Sequence, residues 1–143
     1  MPRTQLTLRD LTLLLLMSFA SAAAWGQEPD RGARVILVSG ATGTQGGAVA
    51  RELVDRGYTV RGLTRNPDSD TSRALTTLGV RMIRGDFDDA ASLDRALEGV
   101  YGAFSVQQYR GVGINGEIRQ SEAFADAAKR AGVQHFVYTS VAK

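Results

Sequence analysis

Val35-Ile36-Leu37-Val38-Ser39-Gly40-Ala41-Thr42-Gly43-Thr44-Gln45-Gly46-Gly47 is a short apolar run that passes straight into glycines spaced three and three. The run predicts a strand, and the pattern after it predicts a helix. A strand, a tight turn and a helix N-terminus in that order make a cradle for phosphate. The first helical turn has N–H groups without an intrahelical acceptor, and it carries a partial positive charge. Gly40, Gly43 and Gly46 let the chain turn sharply and let a pyrophosphate lie against bare backbone. Spacing alone is a weak signal: 16 of 143 residues are glycine, and a strand-to-helix turn uses glycine with or without a ligand. The preceding strand, the following helix and the surrounding βαβ spacing supply the context that the motif requires.

Outward from this motif, strands and helices alternate. The first strand is expected over Val35–Ser39. The first helix is expected from about Gly46 to Arg56, with Val49, Ala50, Leu53 and Val54 inward and Gly57 as its stop. A second strand is predicted over Thr59–Thr64, then the loop Arg65-Asn66-Pro67-Asp68. Ser69 or Asp70 can cap a second helix that ends near Leu78 and Gly79. A third strand over Val80–Arg84 leads to Gly85-Asp86-Phe87. Asp88 or Asp89 can cap a third helix with Leu93, Ala96 and Leu97 inward, stopped by Gly99. Val100–Val106 is the fourth strand and Gln107–Gly116 a glycine-containing loop. Glu117–Ala131 is the fourth helix, and Gln134–Ser140 the fifth strand. Five strands separated by four helices imply right-handed crossovers and an α/β, Rossmann-like, doubly wound parallel sheet, with a nucleotide across the carboxyl ends of its strands.

Bulk properties narrow the function. The apolar share of 43% and charged share of 22% are ordinary for a globular domain, and one domain is the expectation at this length. The net charge of +2 is spread along the chain, which gives no footprint for nucleic acid or a membrane surface. With no cysteine, disulfides, thiolate metal sites and a cysteine nucleophile are excluded. The single histidine, His135, rules out a histidine-rich metal site and argues against a serine–histidine triad.

The first 26 residues read separately. Arg3 and Arg9 precede an apolar core, Leu11 to Ala24, that ends in small residues, with Ala24 and Gly26 at positions suited to cleavage. This matches a secretory signal and is short for a membrane span. An uncleaved anchor or a non-native leader from an upstream start are the other readings. Gln27–Ala33 is expected to be a polar linker, and 34–143 the nucleotide-binding domain. A signal peptide implies a secreted or periplasmic location, whereas nicotinamide dinucleotides are made and recycled in the cytoplasm, so the two readings conflict.

Several residues are placed to read a dinucleotide. An acid at the end of the second strand would accept from a free ribose 2′-hydroxyl, and an arginine there would accommodate a 2′-phosphate. This chain has Arg65 and no acid between Asp55 and Asp68, so the balance leans to NADP over NAD; a solvated loop arginine is the plainer reading. Asp86 can accept from the adenine amino group while Phe87 packs beside the ring, or Asp86 can serve its own loop. Val106 and Gln107 end the fourth strand, next to the central phosphates and second ribose. Thr42, Thr44 and Gln45 complete the loop. Tyr138 and Lys143 do not make a Tyr-x-x-x-Lys pair, because four residues intervene and Tyr138 lies in a strand. Ser140 could polarise a carbonyl or simply end its strand. The adjacent Asp88 and Asp89 are better explained by capping than by metal binding. No catalytic set and no metal site emerge.

With these residues in hand, the chain resembles the NmrA-like family, a branch of the extended and atypical short-chain dehydrogenase/reductases. The resemblance rests on Gly40-Ala41-Thr42-Gly43-Thr44-Gln45-Gly46-Gly47, Thr64-Arg65-Asn66-Pro67, Arg84-Gly85-Asp86-Phe87-Asp88-Asp89, Leu97-Glu98-Gly99-Val100 and Val137-Tyr138-Thr139-Ser140. It implies NADP(H) held by the Gly40–Gly46 loop, Arg65 on the 2′-phosphate and Asp86-Phe87 near adenine. It also implies one of two roles. Some members reduce quinones, phenylpropanoid ethers or similar small molecules. Others are regulators that sense the dinucleotide and catalyse nothing known. Relatives are expected at about twice the length that follows the leader, so a truncated sheet, a fragment or a remnant without the catalytic half are the expectations for this chain.

Overall fold

The computed structural model describes residues 30–107 and 112–139. The leader, the first part of the linker, Ser140 and Lys143 lie outside the described residues. The elements are β1 (Val35–Val38), α1 (Thr44–Asp55), β2 (Thr59–Thr64), α2 (Asp70–Thr77), β3 (Arg81–Arg84), α3 (Ala90–Leu97), β4 (Gly102–Ser105), α4 (Gly113–Arg130) and β5 (His135–Tyr138). All strand pairs are parallel, in the order β3-β2-β1-β4-β5. The expected α/β sheet is therefore observed.

β1 is the central strand, and this is why its sequence is continuously apolar. Leu37 and Val38 point to opposite faces and both are fully buried. Val38 packs with Ala50, Val60, Leu75 and Val80 under α1 and α2. Leu37 packs with Leu93, Leu97, Phe124 and Ala127 under α3 and α4. Phe124 is fully buried and meets Phe87 edge-on at 5.6 Å and Phe136 at 5.9 Å. Burying a side chain of this size contributes about 1.5–3 kcal/mol.

Three helices end in one device. After α1, α2 and α4, the second residue beyond the C-cap donates back to the last turn: Tyr58 to Leu53, Val80 to Leu75 and Val133 to Ala128, each at 3.0–3.1 Å. The glycine between has a positive φ in each case. This also moves a boundary. Val80 was expected in β3, but its N–H closes α2, and the strand starts at Arg81. Ser69 caps α2 and Asp89 caps α3, each accepting from the N–H three residues on at 3.2 Å.

The largest departure is α4, which begins four residues before the expected Glu117. Gly116 suggests a loop when read alone. In the structure it is buried in the first turn, where an added Cβ would come within 2.6 Å of the Val112 Cβ. Its bareness serves packing, so the helix runs through it.

At the opposite end of the sheet from the glycine loop, the Arg34 guanidinium lies 4.5 Å over the Tyr101 ring. Tyr101 in turn stacks on His135 at 6.4 Å with 6° between the planes. The lone histidine thus belongs to a stack tying the starts of β1, β4 and β5 together. Among the described residues no helix is long and apolar enough to cross a membrane.

Candidate dinucleotide cleft

Because the strands are parallel, their carboxyl ends share one edge. The loops after β1, β2 and β3 and the end of β4 enclose a cleft of about 360 Å³ there. Seven of the eleven residues expected to hold a cofactor line it: Gly40, Thr42, Gly43, Arg65, Asp86, Phe87 and Val106. Leu63, Thr64, Asn66, Ser69, Gly85, Val112 and Gln120 complete its wall.

The glycines divide the work. Gly40 has φ +58, and a Cβ there would meet the Val106 side chain at 2.9 Å. Gly46 sits in the first turn of α1, where a Cβ would lie 2.3 Å from the Gly40 carbonyl oxygen. It brings the helix against the loop. Gly43 is the N-cap of α1 in extended backbone, with no side-chain cap bond, and α1 has no acid in its first turn. Nothing on the helix therefore competes with an anion for its leading N–H groups.

The β2 loop is held from within. Asn66 N–H donates to Thr64 Oγ1 at 3.2 Å, and Asp68 N–H to Asn66 Oδ1 at 3.1 Å. The Ser72 hydroxyl on α2 donates to the Asn66 carbonyl at 2.8 Å. Arg65 projects from this braced turn as an exposed residue. The β3 loop is braced similarly. Asp86 N–H donates to Ser92 Oγ at 2.9 Å, and the Ser92 hydroxyl donates to the Asp89 carbonyl at 2.7 Å. Asp86 Oδ1 accepts from Asp88 N–H at 3.1 Å, which orients the carboxylate.

Four expected residues do not line the cleft. Thr44 and Gly46 contribute backbone at the start of α1. Gln45 instead donates to Thr139 Oγ1 at 3.0 Å, joining α1 to the end of β5. Gln107 is buried, its Nε2 donating to Ser105 Oγ at 2.9 Å, and its Oε1 has no partner among the described residues. Asp88 pairs with Arg119 at 3.2 Å and accepts from Gln120 at 3.2 Å, so it anchors α4 beside the cleft.

A model of the NmrA-like family matches residues 32–143. The chain belongs to the NmrA-like family. An NmrA-like family domain-containing oxidoreductase of Aspergillus hancockii is 42% identical over 113 residues, which cover 75% of this chain and 33% of that protein. The solved structure of NmrA, a negative transcriptional regulator in complex with NADP, is 29% identical with a TM-score of 0.68, over 76% of this chain and 34% of that one. The same regulator has also been solved with NAD. Triphenylmethane reductase of Citrobacter sp., complexed with NADP(H), is 32% identical with a TM-score of 0.63, over 75% and 37%. This NmrA-like chain thus matches about a third of its relatives' length, a larger difference than the factor of two expected.

Sequence reading missed Ser39, Ser92, Gln120 and Arg84. Ser39 is fully buried and bonds to Val106, 67 residues away, so no local pattern exposes it. Ser92 carried a signal, since a hydroxyl three residues after a capping aspartate sits where the helix begins.

Proposed function

We propose that this NmrA-like chain holds a nicotinamide dinucleotide along the cleft, NADP(H) in preference to NAD(H), as the cofactor-binding part of an oxidoreductase. One observation carries the reading. The cleft runs from an uncapped, acid-free helix N-terminus to a braced turn bearing Arg65, and β2 ends with no carboxylate placed for a ribose 2′-hydroxyl. The residues fit the group. The α1 N–H groups and the bare Gly40 edge would hold the pyrophosphate, Arg65 the 2′-phosphate, and Asp86 and Phe87 the adenine. A bound dinucleotide would supply hydride-transfer chemistry. Val106 would border the second ribose, and Gln107 Oε1 is an acceptor with no donor among the described residues.

A second reading is a dinucleotide sensor that transmits occupancy to a protein partner. The likeness to NmrA, described as a negative transcriptional regulator, favours it. Titration of the full chain with NADPH and NADH, followed by nucleotide fluorescence, tests the binding claim. Tighter binding of NADPH supports it, equal binding removes the preference, and no binding of either overturns it. Turnover of a quinone and carbonyl panel supports the reductase over the sensor.

A further inference from the structure

A second hollow, of about 390 Å³, adjoins the cleft, and Arg65, Gly85 and Asp86 line both. Its wall also carries Arg84 and Arg95, so three arginines line one space. Asp86 and Asp89 also line it, each with one oxygen engaged by a backbone N–H: Asp89 Oδ1 caps α3, and Asp86 Oδ1 accepts from the Asp88 N–H. Among the described residues, neither Arg65 nor Arg95 has an ion pair or a side-chain hydrogen bond. The arginines outnumber the acids three to two, so the hollow keeps a positive excess that favours an anion.

Arg84 is set apart by its bonding. It ends β3 in register with Thr64 of β2, directly beside the Arg65 turn. Its Nη1 donates to the Arg65 carbonyl at 3.0 Å, and its Nη2 lies 4.0 Å from the Asp68 carboxylate. A guanidinium has five N–H donors, so this bonding leaves Arg84 with donors to spare. It therefore both holds the backbone of Arg65 and presents further charge beside it.

Resting on the dinucleotide reading above, we propose that Arg84 and Arg95 are specificity residues. Together with Arg65 they enclose the 2′-phosphate of NADP(H), and Arg84 also aligns Arg65. A phosphate monoester carries about −1.5 to −2 charges at neutral pH and three acceptor oxygens. Convergent arginine forks match that demand, and a hydroxyl does not.

Calorimetry on the full chain with 2′,5′-ADP and 5′-AMP isolates this group, because the two probes differ only by the 2′-phosphate. Wild type should bind 2′,5′-ADP at least tenfold more tightly. Arg84→Gln should remove most of that advantage while changing AMP affinity less than twofold, and Arg95→Gln should remove a smaller part. Both side chains lie at the surface hollow, and matched unfolding midpoints would establish that each variant folds. An equal loss for both probes in Arg84→Gln would reduce Arg84 to a loop prop and overturn the proposal. So would no loss in either variant. If wild type binds AMP but does not favour 2′,5′-ADP, this proposal falls and the dinucleotide reading stands. If wild type binds neither, both fall.

Discussion

The Ser39 hydroxyl accepts from the Val106 N–H at 2.8 Å and donates to the Val106 carbonyl at 3.1 Å. This two-bond clamp joins the ends of β1 and β4 where the sheet's winding reverses direction. It fixes Val106 against Gly40, whose missing Cβ makes the contact sterically allowed. The clamp thus sets the width of the cleft floor.

Ser39→Ala should leave two backbone groups of Val106 without their partner and cost about 1–3 kcal/mol. Urea denaturation would measure it, and the Val106 amide should lose hydrogen-exchange protection beyond the global loss. Unchanged stability would mean that water replaces the hydroxyl without cost.

Gly46→Ala should be far more damaging than Gly57→Ala. The first places a carbon 2.3 Å from a backbone oxygen, whereas nothing lies within 4 Å of the second. The overpacked variant collides with backbone that cannot swing aside, so it is expected to lose about 3 kcal/mol or more, and the phosphate-facing loop with it. Gly57→Ala should lose only about 1–2 kcal/mol, from its positive φ. Thermal unfolding of the two variants side by side would decide it, and equal midpoints would refute the assigned clash.

Arg65→Ala should weaken NADPH binding tenfold or more, since a charge-assisted bond contributes about 1.5–3 kcal/mol. NADH binding should change less than twofold. The side chain makes no other bond among the described residues, so folding should be unaffected. Equal weakening of both dinucleotides would show a general role at the cleft mouth.

Expression of the full chain in a secreting host should give a mature N-terminus at or slightly before Gln27, as the apolar core and small residues around Gly26 imply. Mass spectrometry of the intact product reads this directly. A retained Met1 would remove the cleaved-signal reading and leave the uncleaved anchor and the cytoplasmic location.

Much of the fold was legible because its signals are local. The β1 run, the stop glycines and the capping Ser69 and Asp89 each act within a few residues, and helix ends obey short-range hydrogen bonding. Gly116 was misread because one residue type serves two ends: a glycine that breaks a helix and one that admits a neighbouring side chain look the same in one dimension. The Gln45 bond to Thr139 spans 94 positions, so no local pattern announces it.

Order along the chain determined the glycine loop, the alternation of strands and helices, and Arg65 at the end of β2, since each depends on neighbours in sequence. Tertiary structure alone decided that Ser39 clamps Val106, that Asp88 anchors α4, and that Arg65, Arg84 and Arg95 share one hollow. Those relations arise only when parallel strands bring distant carboxyl ends to a common edge, where hydrogen-bond geometry and charge separation are set in three dimensions.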